Sequence, residues 1–115
     1  MLQETQLDGV YLRFYTHVQA KHDGILLSEW LLEQAKRHKL GGGSVFRAIA
    51  GFGRHGILHQ EAFFELADDL PVKVEFLLRE SEAQTLLQLA RDAGVELVYA
   101  ISPAHLGVLS KAPHG

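Results

Sequence analysis

The chain has 115 residues, of which 47% are hydrophobic, and it carries a formal net charge of −3. This length fits a single domain, with a core over about 9–101 and a tail over about 102–115, and a compact monomer of this size has a radius of gyration of roughly 13 Å. Cysteine is absent, which excludes disulfides, thiolate metal sites and cysteine nucleophiles. Acidic and basic residues are mixed along the chain, so no basic field favours nucleic acid as a partner.

The sequence also lacks the signals that would place the chain in a membrane or a secretory pathway. No stretch approaches the roughly 20 apolar residues of a membrane span. The opening residues, MLQETQLD, have neither the basic start nor the apolar run of a signal peptide. We therefore expect a cytoplasmic protein without direct membrane insertion.

The first half of the chain predicts two strands around a helix. Apolar and polar residues alternate over Val10–Val18, which indicates a strand. After a turn-like segment at Lys21–Gly24, apolar residues at three- and four-residue steps predict a helix over 25–40, which is stopped by the glycines 41–43. The β-branched, aromatic and small residues of Ser44–Gly53 predict a second strand that bends at its glycines.

The second half repeats this pattern after a long loop at Arg54–Leu70. A connection longer than about 12 to 15 residues within a compact domain is usually functional or disordered. Alternation over Val72–Arg79 predicts a third strand, and Ser81–Gln84 has the spacing of a capping box for a second helix that ends at Gly94. A fourth strand is predicted over Val95–Ile101. Its inward side chains are expected to be Val95, Leu97, Tyr99 and Ile101.

The predicted order βαββαβ indicates an α+β fold of the ferredoxin-like kind, with two helices on one face of a four-stranded antiparallel sheet. The other face of the sheet would then be uncovered. Its expected residues are Tyr11, Tyr15, Leu77, Val98 and Ala100, mixed with Arg13, Lys73 and Glu75. This face is too apolar for a solvated sheet in a monomer, so we predict self-association with cyclic symmetry.

Three segments carry a resemblance to a known family. These are YLRFY at 11–15, VFRAIAGFG at 45–53 and LADDLPVKVEF at 66–76. Over roughly residues 9–101 the chain resembles the PII-like proteins of the domain of unknown function 190 family, and through them the PII nitrogen-regulatory proteins. The resemblance implies a signalling trimer, with adenine nucleotides bound between subunits and a mobile T-loop that contacts partners.

The same resemblance implies a ligand site where the second strand meets the long loop. Gly51, Gly53 and Arg54 match the base of the T-loop, and Arg47 and Phe52 lie beside them. Glycine lets backbone amides approach a phosphate closely, and arginine can pair with phosphate oxygens in a bidentate way. Each feature also has a structural alternative, because glycine can serve as a bend and Arg47 can form a packed ion pair.

The chain departs from the PII pattern between the second helix and the fourth strand. There the PII proteins carry a glycine- and lysine-rich phosphate loop, whereas this sequence has the tight turn Arg91–Val95. The expected ligand is therefore either an adenine nucleotide or another small anionic metabolite.

The long loop is the expected docking element for a regulated protein or a membrane transporter. Its aromatic and histidine residues, which are His55, His59, Phe63 and Phe64, are candidates for that contact. A catalytic role is not expected, because no nucleophile, paired histidine or oxyanion motif accompanies the acidic residues of this loop.

The alternative is a histidine-based module that binds a divalent metal without catalysis. Its ligands would be His17, His55 and His59. Residues four apart present two imidazoles together only on a helix, and Gly56 between the last two argues against one. Zinc and copper are the metals that imidazole sites favour.

Overall fold

The computed structural model describes residues 1–51 and 70–111, which contain six strands and two helices. In chain order these elements are β1 (Leu2–His17), β2 (Lys21–His22), β3 (Ile25–Leu26), α1 (Leu27–Arg37), β4 (Gly43–Arg47), β5 (Pro71–Leu78), α2 (Glu80–Ala93) and β6 (Val98–Lys111). The four longer strands form an antiparallel sheet in the order β4-β5-β1-β6, and β2 and β3 form a small hairpin of their own. The predicted ferredoxin-like fold is confirmed.

The core lies between the sheet and the two helices. Alternate residues of β1 and β5 point towards the helices, and Leu12, Phe14, Val74 and Phe76 are at most 1% exposed. The rings of Phe14 and Phe76 meet edge to face, with centroids 6.1 Å apart. Full burial of such side chains contributes roughly 1.5–3 kcal/mol each, so this layer stabilises the whole domain. The helix residues that cover it are Leu27, Trp30, Leu31, Ala35, Ala83, Leu86, Leu87 and Ala90.

The ends of α2 show which local signals were interpreted correctly. Gly94 stops the helix as predicted, with a φ of 69° that suits glycine. The predicted capping box at Ser81–Gln84 is wrong by two residues, because the helix begins at Glu80 with Arg79 as its N-cap. The Glu82 carboxylate accepts a hydrogen bond of 2.9 Å from the Arg79 N–H, which fixes this earlier start.

The opposite face of the sheet carries the residues that the alternation assigned to it. Strand register places Arg13 opposite Glu75 and Ala100, and Tyr15 opposite Lys73 and Val98. Tyr11 lies opposite Leu77 in the same way. We call this surface the open face; its residues are Tyr11, Arg13, Tyr15, Lys73, Glu75, Leu77, Val98 and Ala100.

Strand lengths differ most from prediction at the ends of the chain. β1 begins at Leu2 and β6 continues to Lys111, whereas the sequence had indicated a strand from Val10 and a tail from about residue 102. The described residues extend over 58 × 30 × 24 Å, and their radius of gyration is 16.5 Å. The excess over the roughly 13 Å expected of a compact domain comes from this long pair of strands.

Two smaller differences concern β4 and β6. β4 ends at Arg47, so the prediction of a strand over Ser44–Gly53 is wrong for residues 48–51, while residues 52 and 53 lie outside the described part of the chain. Tyr99 does face the helix side, opposite Phe14, but at the edge of the sheet it stays 46% exposed.

Candidate functional site

The ends of β1 and β4 and the start of β5 meet at one end of the sheet. The Ala48 N–H donates to the Pro71 carbonyl at 2.9 Å, and the Val18 N–H donates to the Leu70 carbonyl at 3.0 Å. These bonds fix the backbone on both sides of residues 52–69. The sheet therefore holds the chain in place just before and just after residues 52–69.

Gly51 and Arg47 both lie at this end of the sheet. Gly51 adopts a φ of 153°, a conformation that residues with a side chain rarely take. Arg47 is the last residue of β4 and is exposed, and it lies opposite Val72. Among residues 1–51 and 70–111, no residue forms the packed ion pair that was considered for Arg47.

A polar pocket of about 470 Å³ opens beside the end of β1. It lies between β1, the β2–β3 hairpin and the turn that follows α2. Its lining residues are Thr16, His17, Gln19, Ala20, Lys21, His22, Leu27, Gly94, Val95 and Glu96. Arg47 lies on the same side of the sheet two strands away, which is roughly 10 Å at the usual strand spacing.

The hairpin that forms one wall of this pocket is set by its turn. Asp23 and Gly24 both have positive φ, 51° and 82°. That is the backbone of a two-residue hairpin turn, and Asp-Gly is among its most common sequences. The turn places Lys21 and His22 at the pocket, and the His22 ring packs edge to face on Trp30 with centroids 4.9 Å apart.

The pocket is polar and its charges are balanced. One lysine, Lys21, and one carboxylate, that of Glu96, line it together with two histidines, and the His22 ring lies 3.4 Å from the Asp23 carboxylate. Lys21, His22 and Glu96 were not among the predicted site residues. Asp23-Gly24 could have revealed the hairpin, but nothing in the sequence indicates that the turn after α2 closes the pocket from the other side.

Seven of the predicted site residues fall outside the described part of the chain. They are Phe52, Gly53, Arg54, His55, His59, Phe63 and Phe64. Their assignment to a ligand site or to a partner-binding loop therefore stays a prediction.

The alternative of a histidine-based metal site also depends on residues outside the described part of the chain. His17 lies in β1 and lines the pocket, while its two proposed companions lie in residues 52–69. Within residues 1–51 and 70–111 no three histidine or carboxylate side chains come together as a metal site. The three-histidine set also stays a prediction.

An ion cluster occupies the centre of the open face. Glu75 accepts a hydrogen bond of 2.8 Å from Arg13 and lies 3.4 Å from the Lys73 ammonium. The Arg13 guanidinium holds the pKa of Glu75 below its ordinary value, and Lys73 acts in the same direction, against the opposing effect of burial. The two cations also sit over aromatic rings, Arg13 over Tyr11 at 4.6 Å and Lys73 over Phe46 at 4.7 Å.

The architecture is that of the PII-like proteins. The apo form of CPII from Thiomonas intermedia K12, a nitrogen regulatory PII-like protein, superposes with a TM-score of 0.60 over 92% of this chain and 99% of that one, at 13% identity. A putative PII-like signaling protein from Thermus thermophilus gives a TM-score of 0.51 over 91% of each chain, at 18% identity. At these identities the likeness establishes the fold.

The family is established by sequence. The model of DUF190, described as "Uncharacterized ACR", matches residues 9–102. A UPF0166 protein of Aquifex aeolicus (strain VF5) is 36% identical over 77 residues, which are 67% of this chain and 73% of that protein. The chain belongs to the DUF190 family, and the predicted resemblance is confirmed.

Within residues 1–51 and 70–111, neither helix is long and apolar enough to cross a membrane.

Proposed function

We propose that this chain is a PII-like regulatory protein that assembles through its open face and binds a small anionic ligand, an adenine nucleotide or another anionic metabolite. The ligand occupies a cleft between subunits near Arg47, Gly51 and the adjoining residues Phe52, Gly53 and Arg54. Segment 54–70 passes the signal to a partner. The proposed role is one of binding and regulation, without catalysis.

The observation that carries this proposal is the way the chain joins the sheet on either side of residues 52–69, which include nearly all of segment 54–70. Both attachment points are hydrogen-bonded to strands, beside a polar pocket lined by Lys21 and two histidines. A ligand bound at this junction contacts residues that are continuous with the segment. The ligand changes the populations of the segment's conformational states only to the extent that it binds one state more tightly than another.

The charges of the described residues favour an anion as that ligand. Lys21 contributes to the pocket and Arg47 presents an exposed cation at the end of β4. A guanidinium can hold a carboxylate or phosphate by two parallel hydrogen bonds, which fixes orientation as well as position. Lys21 lies in the separate β2–β3 hairpin, whereas Arg47 ends β4, two strands from the β1 residues that line the pocket. A ligand that contacts both cations must therefore be larger than a single carboxylate, or one of them must come from a neighbouring subunit.

The partner is proposed to be a regulated protein or a membrane transporter. Histidine and aromatic residues in the segment, His55, His59, Phe63 and Phe64, supply the contact. Aromatic side chains commonly anchor protein interfaces, because they bury a large area at small entropic cost.

A binding screen tests the ligand part of the proposal. Thermal shift is measured with adenine mononucleotides and cyclic nucleotides, dicarboxylates, bicarbonate and divalent metals. A ligand at about 100 times its dissociation constant stabilises the fold by roughly 2.7 kcal/mol, which such a scan resolves. We expect an anion to stabilise the protein, and we expect Lys21→Ala or Arg47→Ala to weaken that effect.

Lys36→Ala is the matched control, because Lys36 is an exposed cation in the last turn of α1 and does not line the pocket. It should leave the ligand shift unchanged. Stabilisation by zinc or copper alone would favour the histidine module instead. Equal loss in all three variants would show a diffuse charge effect and contradict a site at this junction.

A further inference from the structure

The two longest strands continue beyond the body of the domain as a ribbon. Residues 2–9 of β1 pair with residues 104–111 of β6, while β5 joins β1 only from Val10 onward. At roughly 3.3 Å per residue, eight residues of strand span about 26 Å. We call residues 2–9 and 104–111 the arm.

The arm has two different faces near its base. On the side continuous with the open face, Leu7 lies opposite Leu106 and Thr5 opposite Val108. Leu7 is 45% exposed and Val108 50% exposed. This apolar side begins where the open face ends at Tyr11, so the two surfaces form one continuous stripe.

The other side of the arm is polar near the base. The His105 ring and the Asp8 carboxylate form a pair at 2.7 Å, and Gln6 lies within 3.4 Å of the same ring. Nearer the tip this side also carries the exposed side chains of Leu2 and Leu109. The base of the arm is thus amphipathic, with its apolar side towards the face through which the proposed oligomer forms.

Two properties of the arm indicate that this apolar side is covered in the working protein. A two-stranded ribbon is at best marginally stable in water without a third strand or a packed face. The outer edge of residues 2–9 also has no strand beside it within residues 1–51 and 70–111, although unprotected edges tend to pair with other chains.

The base of the arm is built for a close approach between strands. A Cβ at Gly9 would come within 2.6 Å of the Leu78 carbonyl oxygen and 3.0 Å of the Leu106 side chain. Glycine at this position therefore lets the end of β5 approach β1 closely while Leu106 packs at the junction. The family match covers residues 9–102, so the arm apart from Gly9 lies outside the matched range.

We propose that the arm docks on a second copy of this chain, with the side that carries Leu7, Leu106 and Val108 against the neighbouring subunit. The inference rests on the proposed oligomer and adds a second contact to it. The reach of the arm, about 26 Å, exceeds the roughly 19 Å width of a four-stranded sheet, so an arm that leaves one subunit can cross the face of the next. A second copy is the occupant because the apolar side of the arm is continuous with the surface that meets the neighbour.

The test uses two adjacent residues of one strand that point to opposite sides. Leu7→Lys places a charge on the apolar side, and Gln6→Lys places the same charge on the polar side. Sedimentation velocity over a range of concentrations measures the dissociation midpoint of each oligomer. We expect Leu7→Lys to raise that midpoint by roughly tenfold or more, as for loss of an interface anchor, and Gln6→Lys to change it by less than about twofold.

Val108→Lys is a second variant, on the partner strand of the arm, and should act like Leu7→Lys. Hydrogen exchange of the residue 2–8 amides, measured above and below the dissociation midpoint of the unaltered protein, gives an independent readout. We expect slower exchange in the oligomer. Equal midpoints for Leu7→Lys and Gln6→Lys, or equal exchange in both states, would overturn the docking of the arm.

The same experiment separates this inference from the proposed function. An unaltered protein that stays monomeric at all concentrations would contradict both the oligomer and the arm contact. An oligomer that tolerates Leu7→Lys would contradict the arm contact alone. Ligand binding, measured by thermal shift, is expected to survive in any variant that retains the oligomer.

Discussion

The two faces of the sheet are made by the same strands, one residue apart, and they have opposite characters. On the helix side, Leu12 and Phe14 are fully buried among aliphatic and aromatic side chains. On the open face, the residue between them is Arg13, which forms an ion pair with Glu75. One face has the composition of a protein core, and the other combines aromatic rings with paired charges.

This difference separates folding from assembly. The helix side contains the layer that hydrophobic burial stabilises, and it is complete within one chain. The open face is apolar enough to associate and polar enough to set the orientation of its partner, because an ion pair fixes register more than it adds affinity. Substitutions on the helix side should therefore change stability, and substitutions on the open face should change oligomeric state.

The largest expected effect is the loss of a core ring. Phe14→Ala removes the partner of Phe76 from a layer that is fully buried, and it should lower the free energy of unfolding by about 3–5 kcal/mol. Tyr15→Ala, one residue along on the open face, should cost about 1 kcal/mol. Urea unfolding of both variants measures the difference, and similar losses would contradict the assignment of the two faces.

A close approach of β4 to the core gives the next effect. A Cβ at Gly43 would overlap the Phe76 ring, whereas one at Gly42 would meet nothing within 4 Å. We expect Gly43→Ala to destabilise the fold by roughly 1–3 kcal/mol, as overpacking does. Gly42→Ala is the control and should stay within about 0.5 kcal/mol of the unaltered protein. If the two variants unfold at the same urea concentration, β4 does not pack on Phe76 in this way.

On the open face, a new charge should separate subunits without unfolding them. Ala100 is exposed and lies opposite Arg13, so Ala100→Arg puts a bulky like charge next to an existing one. We expect the oligomer to dissociate, as measured by light scattering, while the unfolding free energy of the monomer changes by less than about 0.5 kcal/mol. Gln88→Arg, on the exposed side of α2, is the control. An intact oligomer in Ala100→Arg would place the interface elsewhere.

The smallest effect is that of pH on the ion cluster. Because the folded-state pKa of Glu75 is lowered, its carboxylate stabilises the fold above its unfolded pKa, and that contribution is lost as pH falls through the lower folded pKa. A partly exposed pair is worth about 0.2–1 kcal/mol, so Glu75→Gln should lower stability by that amount near neutral pH and by almost nothing in acid. Glu33→Gln, which removes an exposed pair on α1, is the comparison variant. Urea midpoints over a series of pH values measure both.

Much of the fold could be predicted because its signals are local. The alternation around Phe14 and Phe76 identified two strands and their buried faces, and Gly94 marked the end of α2. The same alternation assigned the other residues of these strands to the open face. Each of these depends on residues within a few positions of one another.

The arm could not be predicted because its pairing is distant and both of its sides are exposed. Residues 2–9 alternate only weakly between polar and apolar, and their partners are about 100 positions away in the chain. β6 also runs through Pro103, which cannot donate a ladder hydrogen bond. It is accommodated because β6 lies at the edge of the sheet.

The pocket was missed for a similar reason. Two of its walls, the hairpin with Lys21 and the turn with Glu96, lie far apart in sequence and meet only when α2 packs beside β1. Gly51 was proposed as a site residue through the family resemblance, since an isolated glycine has many structural uses. Arg47 was proposed either as a ligand contact or as part of a packed ion pair, and its ligand role stays a prediction.

The most direct test of the proposed sensor is hydrogen exchange across the whole chain, with and without a saturating anionic ligand identified in the thermal-shift screen. We expect slower exchange at residues 17–22, 47–51 and 94–96, together with a change in segment 54–70 that Lys21→Ala or Arg47→Ala abolishes. Unchanged exchange in segment 54–70 at saturating ligand, with partner binding also unaffected, would contradict a ligand-controlled signal.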